Sequence, residues 1–309
     1  MGDNSCTNRF SRFVPVQPNP RKLCGLAPTR AGFRFLATVS RMSASSAIAV
    51  RLSSVRLDRG GRTILRGLDL DIPQGSMTAV LGPSGTGKST LLAAITGELV
   101  PTEGHIEVFG TEVPRTARGL LEMRKRLGVL LQGNGLLTDL TVAENVALPL
   151  HAHARLPDAD VQRIVLEKLD AVGLRAAADL YPRELSGGMA RRAALARALA
   201  LDPPLLLCDE PLTGLDPIAS SVIMQLLRRL NRTLGLTCIV ISHHVRETLP
   251  VCDQAVVIAN GGVAFSGTPD ALEASDDPLL RQFLNGDAEG PIGFEGTHFE
   301  GAPPAREAA

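Results

Sequence analysis

The stretch Gly82-Pro83-Ser84-Gly85-Thr86-Gly87-Lys88-Ser89 decides the architecture of this 309-residue chain. It fills the pattern G-x-x-x-x-G-K-[ST], and it lies between an apolar run predicted as a buried strand, Thr78 to Leu81, and a helix predicted over Ser89 to Thr96. Glycines at these spacings let backbone N–H groups turn inward around a phosphate, and the helix N-terminus adds its positive dipole. Lys88 offers a point charge to the β and γ oxygens. Ser89, with Thr90 beside it, supplies hydroxyls to nucleotide and Mg²⁺. Strand, glycine-rich loop and helix together are the start of an α/β nucleotide-binding unit.

Working outward, Leu205 to Cys208, Thr237 to Ile241 and Ala255 to Ile258 read as three further β-type runs separated by helical stretches. That alternation implies a parallel sheet covered by helices. Upstream, alternating apolar residues from Ala47 to Ile72 flank the turn Arg59-Gly60-Gly61 and read as antiparallel strands. Helical spacing is predicted over 115–127 and 158–172, and Met189 to Ala200 is an unbroken Ala/Leu/Arg helix. Asn260-Gly261-Gly262 reads as a hairpin turn into Val263 to Ser266.

Two more segments carry chemistry. Leu205-Leu206-Leu207-Cys208 runs into Asp209-Glu210, where Asp209 can hold magnesium through water and Glu210 can polarise an attacking water. Taken alone, such a pair could be a helix cap. Leu185-Ser186-Gly187-Gly188-Met189 opens the Ala/Leu/Arg helix and sets a hydroxyl and two glycine amides at its N-terminus, a second anion site or a plain N-cap.

The glycine-rich loop, Asp209-Glu210 and Ser186-Gly187-Gly188 together resemble the ATP-binding cassette (ABC) ATPases. The resemblance covers about 47–286. It implies a P-loop NTPase of RecA-like α/β core with an antiparallel β subdomain and a helical subdomain at about 133–185. It implies that Ser186, Gly187 and Gly188 close on the nucleotide held by residues 82–90 of a second copy, in a head-to-tail dimer. Gln132 then matches the Q-loop glutamine, a magnesium and transporter sensor; Asp216, in Gly214-Leu215-Asp216, matches the D-loop; His243 matches the switch histidine near the γ-phosphate. ATP and Mg²⁺ are the implied cofactors. Arg59 stands where the family has an aromatic residue stacked on adenine, and its guanidinium plane can take that role. Met189 replaces the usual glutamine, and His244 the usual aspartate.

The run from Leu185 to Ala198, with Ala147-Leu148-Pro149-Leu150 and Arg281-Gln282-Phe283-Leu284-Asn285-Gly286, resembles the ATPase subunits of Mla-type phospholipid transport systems. That resemblance implies a multi-span permease, a lipid-binding protein and a small STAS-domain protein as partners, at the cytoplasmic face of the inner membrane. Another transport cargo remains open, as does a soluble ABC protein of repair or translation.

Composition bounds the rest. Lys plus Arg and Asp plus Glu both number 32, so no chain-wide field points to nucleic acid. Residues 1–41 nevertheless hold seven basic residues against Asp3 alone, which leaves the remainder acidic by six charges. Residues 1–46 read as a disordered basic leader, either of transit-peptide composition or an overextended gene start before Met42. Residues 287–309 read as an acidic flexible tail. Five scattered cysteines in no CxxC spacing give neither a disulfide framework nor a zinc site, and no apolar run approaches the roughly 18 residues of a membrane span.

Overall fold

The computed structural model describes residues 47–292. The basic leader and residues 293–309 lie outside them. The described chain begins with a hairpin, β1 (Ile48–Arg59) and β2 (Arg62–Pro73), whose buried side chains alternate: Val50, Leu52, Val55 and Leu57 on one strand, Leu65, Leu68, Leu70 and Ile72 on the other. Between Leu52 and Val55 the first strand carries an extra residue, and Ser54 takes φ +48 while its N–H donates to Asp69 Oδ1 at 2.8 Å. This bulge returns Val55 to the core face.

β3 (Met77–Leu81) leads through the glycine-rich loop into α1 (Lys88–Ile95). β4 (Glu103–Val108), β5 (Thr111–Glu112), α2 (Ala117–Arg124) and β6 (Leu127–Leu130) follow. Then come α3 (Val142–His153), α4 (Asp158–Ala171), α5 (Gly187–Ala198), β7 (Leu205–Asp209), α6 (Pro217–Leu234) and β8 (Thr237–Ser242). The chain closes with α7 (Val245–Thr248), β9 (Gln254–Ala259), β10 (Gly262–Gly267), α8 (Pro269–Glu273) and α9 (Pro278–Asn285).

Two sheets result. The antiparallel one has the order β2-β1-β4-β5 and the larger one β10-β9-β3-β8-β7-β6, parallel except for β10. β3 and β8 are buried along their whole length because both faces of the larger sheet are covered. Along β7 the faces alternate. Leu205 and Leu207 join the core shared with the hairpin and α1, while Leu206 and Cys208 join the core formed with α3, α4, α5 and α6. Thr141 and Glu144 form a capping box at the start of α3, and buried Asn145 organises the preceding loop by accepting from the Leu137 N–H and donating to the carbonyls of Leu137, Leu140 and Thr141.

Some boundaries differ from the sequence reading. The helix expected over 115–127 ends at Arg124, because Leu127 starts a strand paired with β7 from Leu205 onward. α5 starts at Gly187 rather than Met189, since Ser186 serves as its N-cap and accepts from the Met189 N–H at 3.3 Å. Nor does the ordered chain stop at Gly286. Gln282, 5% exposed, donates to the carbonyls of Asp287 and Ile292 and accepts from the Ile292 N–H at 2.7 Å, which fixes residues 287–292 against α9.

Candidate functional site

β3, β8, β7 and β6 are parallel, so their C-terminal ends share one edge of the sheet, where ligands of open α/β sheets bind. Each end delivers one candidate segment. β3 delivers the glycine-rich loop, β7 Asp209-Glu210, β8 His243, and β6 the loop of Gln132.

In the glycine-rich loop, Gly82 has φ +149, and a Cβ there would lie 2.2 Å from the Ile258 carbonyl oxygen of β9. Gly87 has φ +98, with Ile64 Cγ2 2.7 Å from where a Cβ would stand. Only glycine fits at either position. Thr86 Oγ1 donates to the Pro83 carbonyl at 2.9 Å, and Lys88 Nζ donates to the carbonyls of Gly82 and Pro83 at 2.8 and 2.7 Å. Lys88 is only 6% exposed; its burial lowers the amine pKa, against which the Glu210 and Asp209 carboxylates pull upward. No side chain caps α1, and its first turn holds no acid, so its leading N–H groups remain available to an anion. Thr90 is buried on the same helix.

Facing this loop, Ser89 Oγ donates to Asp209 Oδ1 at 3.3 Å. Burial raises the Asp209 carboxyl pKa, and the Ser89 hydrogen bond partly offsets it. Glu210 has φ +48, a left-handed conformation that a non-glycine residue holds only under constraint, and its N–H extends the sheet by donating to the Ile241 carbonyl. Its Oε2 lies 2.9 Å from His243 Nδ1. The contact lacks the alignment of a hydrogen bond, so Oε2 stays buried without a donor. His243 is half exposed and stacks loosely against His244 at 4.3 Å between ring centroids.

Gln132 lies two residues beyond β6, whose last residue, Leu130, pairs with Cys208. Its side chain is exposed and makes no hydrogen bond among the described residues. The crevice over the loop, about 470 Å³, is lined by Pro83, Ser84, Gly85 and Thr86 and by Thr63, Ile64, Ala259, Asn260, Gly261 and Ile292. Arg59 does not line it. Arg59 is exposed at the tip of the hairpin, opposite Arg62, and the side of the hairpin that meets the crevice is Thr63-Ile64.

A second crevice of about 340 Å³ is lined by Ser186, Gly187, Gly188, Met189 and Arg192 of the α5 N-terminus together with Gly214, Leu215, Asp216 and the first turns of α6. Asp216 caps α6, its Oδ1 accepting from the N–H groups of Ile218 and Ala219 at 2.9 Å each. The two crevices share no lining residue. Sequence reasoning missed Ile64, Asn260 and Ile292 beside the loop, and it missed Arg191 and Arg197, which tie α5 to the loop of Gln132. A buried arginine bonded to carbonyls leaves no pattern in a sequence.

Among known proteins, the family model described as "ABC transporter" matches residues 65–213. The Haemophilus influenzae protein named "Intermembrane phospholipid transport system ATP-binding protein MlaF" is 49% identical over 80% of this chain and 94% of its own length. Among solved structures, cbiO1 from Clostridium perfringens, described as part of the ABC transporter complex cbiONQ, superposes with TM-score 0.71 at 28% identity over 78% of this chain and 96% of that one. The cassette MJ0796, solved as a dimer in a post-hydrolysis state with ADP and phosphate, gives TM-score 0.65 at 32% identity over 71% of this chain and 98% of that one.

Proposed function

The chain belongs to the ATP-binding subunits of ABC transporters and hydrolyses ATP, and from that premise we propose that its turnover drives phospholipid between the inner and outer membranes of its host. One observation carries the cargo: the identity to the phospholipid-transport relative spans 94% of that protein's length. Among the described residues no helix is long and apolar enough to cross a membrane, so the lipid path belongs to partner subunits. A multi-span permease, a lipid-binding protein and a small STAS-domain protein fit that arrangement, with this chain at the cytoplasmic face of the inner membrane.

In this reading Gly82 to Lys88 wrap the β-phosphate with backbone N–H groups, and Lys88 turns from its two carbonyls toward the β and γ oxygens. Ser89, and Asp209 through water, would hold magnesium. Their oxygens are already adjacent, and hard oxygen donors are what this ion takes. Gln132, on the loop that follows β6, would be the further protein group near the ion. When bound, magnesium neutralises charge on the β and γ oxygens. Glu210 Oε2, buried and without a donor, accepts a hydrogen bond from the attacking water, and His243 contacts the γ-phosphate. Ser186, Gly187, Gly188 and Asp216 act on the nucleotide of a second copy, because in their own chain they line a different crevice.

The test is deletion of the gene in its host, with phospholipid in the outer leaflet of the outer membrane as the readout. Accumulation that the wild-type chain reverses and Glu210→Gln does not is the expected result. An unchanged outer leaflet overturns the cargo.

A further inference from the structure

Arg191 lies in the second turn of α5, is 4% exposed, and has no carboxylate partner among the described residues. A buried guanidinium without a counter-ion is costly unless dipoles replace the anion. Here three backbone carbonyls do so. Nη1 donates to Leu131 O at 3.2 Å and to Gln132 O at 3.1 Å, while Nη2 donates to Thr213 O at 3.1 Å. Nε has no acceptor. Burial lowers the guanidinium pKa, the mark of a cation taken out of water for these contacts.

The acceptors belong to two loops that are distant in sequence. Leu131 and Gln132 follow β6; Thr213 sits in the turn that begins where its own N–H donates to the Glu210 carbonyl and ends at Asp216, the cap of α6. Arg197, two turns further along α5, makes the contrast clear. Its Nη1 and Nη2 donate to Gly135 and Asn134, so it ties the helix to the Gln132 loop alone. Arg191 joins both loops through one rigid, planar group.

We propose that Arg191 is a positioning residue that couples the loop of Gln132 to the turn between Glu210 and Asp216, so that the magnesium-facing loop and the dimer-facing turn shift together. The proposal rests on the roles given above to Gln132 and Asp216. It makes Arg191 matter for the rate of turnover rather than for ATP affinity, since neither the glycine-rich loop nor Lys88 touches it.

The experiment uses the full-length chain and compares wild type, Arg191→Met and Arg191→Lys in steady-state ATPase, mant-ATP binding and thermal unfolding, together with Gln132→Ala, Asp216→Asn and their double variant in the wild-type and Arg191→Met backgrounds. Asparagine still caps α6, so Asp216→Asn leaves that helix intact. Both Arg191 variants are expected to lower kcat roughly tenfold, the loss of about one charged hydrogen bond in the transition state, with KM and ATP affinity within about twofold of wild type. Gln132→Ala and Asp216→Asn are expected to be non-additive while Arg191 is present and additive in Arg191→Met. Should Arg191→Met fail to fold, Arg191→Lys carries the same cycle, because an ammonium is one point and cannot bridge both loops as the fork does. Additivity in the wild-type background, or full kcat in Arg191→Lys, overturns the coupling while leaving the site roles standing. Normal turnover in both Gln132→Ala and Asp216→Asn overturns the site roles and the coupling with them.

Discussion

The crevice over Lys88 and the crevice over Ser186 use the same device, a glycine-containing loop ahead of a helix N-terminus, yet they differ in what stands opposite. Opposite α1 the chain itself supplies Asp209, Glu210 and His243 from the neighbouring strands β7 and β8. Opposite α5 it supplies only Gly214 to Asp216 and the start of α6, with no lysine and no counterpart of Asp209-Glu210 among the lining residues. One N-terminus faces a full set of hydrolytic groups. The other lacks such a set among its lining residues, the asymmetry expected if the proposed head-to-tail pairing of two copies brings the two crevices together.

The largest expected effect breaks the first crevice chemically without emptying it. Glu210→Gln keeps the side-chain shape but removes the carboxylate that accepts from water, so turnover is expected to fall by about 10²–10⁴. MgATP affinity should stay near wild type, because Glu210 binds no phosphate oxygen in this account. A variant that loses binding as much as turnover would place Glu210 in the binding set. Lys88→Ala attacks the same crevice from the other side. Removing a charged donor to two phosphate oxygens should weaken ATP binding by roughly a hundredfold, about 3 kcal/mol, as read by mant-ATP titration. Unchanged affinity would mean that the backbone N–H groups alone carry the nucleotide. Arg59→Ala sharpens the boundary of the crevice and has the smallest effect. With Thr63 and Ile64 as the hairpin's contribution, affinity should change less than about twofold, whereas loss of a partly buried cation–π contact would cost about 1 kcal/mol, or fivefold.

The glycine-rich loop and the strand ending at Asp209 were legible in the sequence because their local geometry fixes residue type and spacing: Gly82 and Gly87 need conformations or clearances that only glycine meets, and Asp209-Glu210 ends a run that only a buried strand tolerates. The parallel sheet, the first hairpin and the Asn260-Gly261 turn were legible for the same reason. What escaped depends on tertiary contact. β4 and β5 hold too few apolar residues to show a period; β4 is placed by its pairing with β1, and β5 by its pairing with β4. Residues 287–292 looked featureless because what holds them is Gln282, a buried amide on α9 that bonds backbone alone. Arg59 was expected beside the adenine from its place in the hairpin, but the hairpin's register, which shifts at several points between Leu52 and Asp58, leaves Arg59 opposite Arg62 at the tip.

If the two crevices complete each other only between copies, mixing subunits with complementary lesions restores turnover. Lys88→Ala disables the first crevice. Gly188→Asp disables the second by placing a carboxylate at the α5 N-terminus, where a side chain meets nothing within 4 Å and the fold is left intact. In a head-to-tail dimer of one of each, both lesions fall in the same composite site and the other site is wild type. Phosphate release by each variant alone should be near zero, and the equimolar mixture should recover up to about a quarter of wild-type turnover, since half of randomly paired dimers hold one intact site of two. A mixture as inactive as its components would mean that the crevices do not complete each other and that each chain hydrolyses ATP with its own residues.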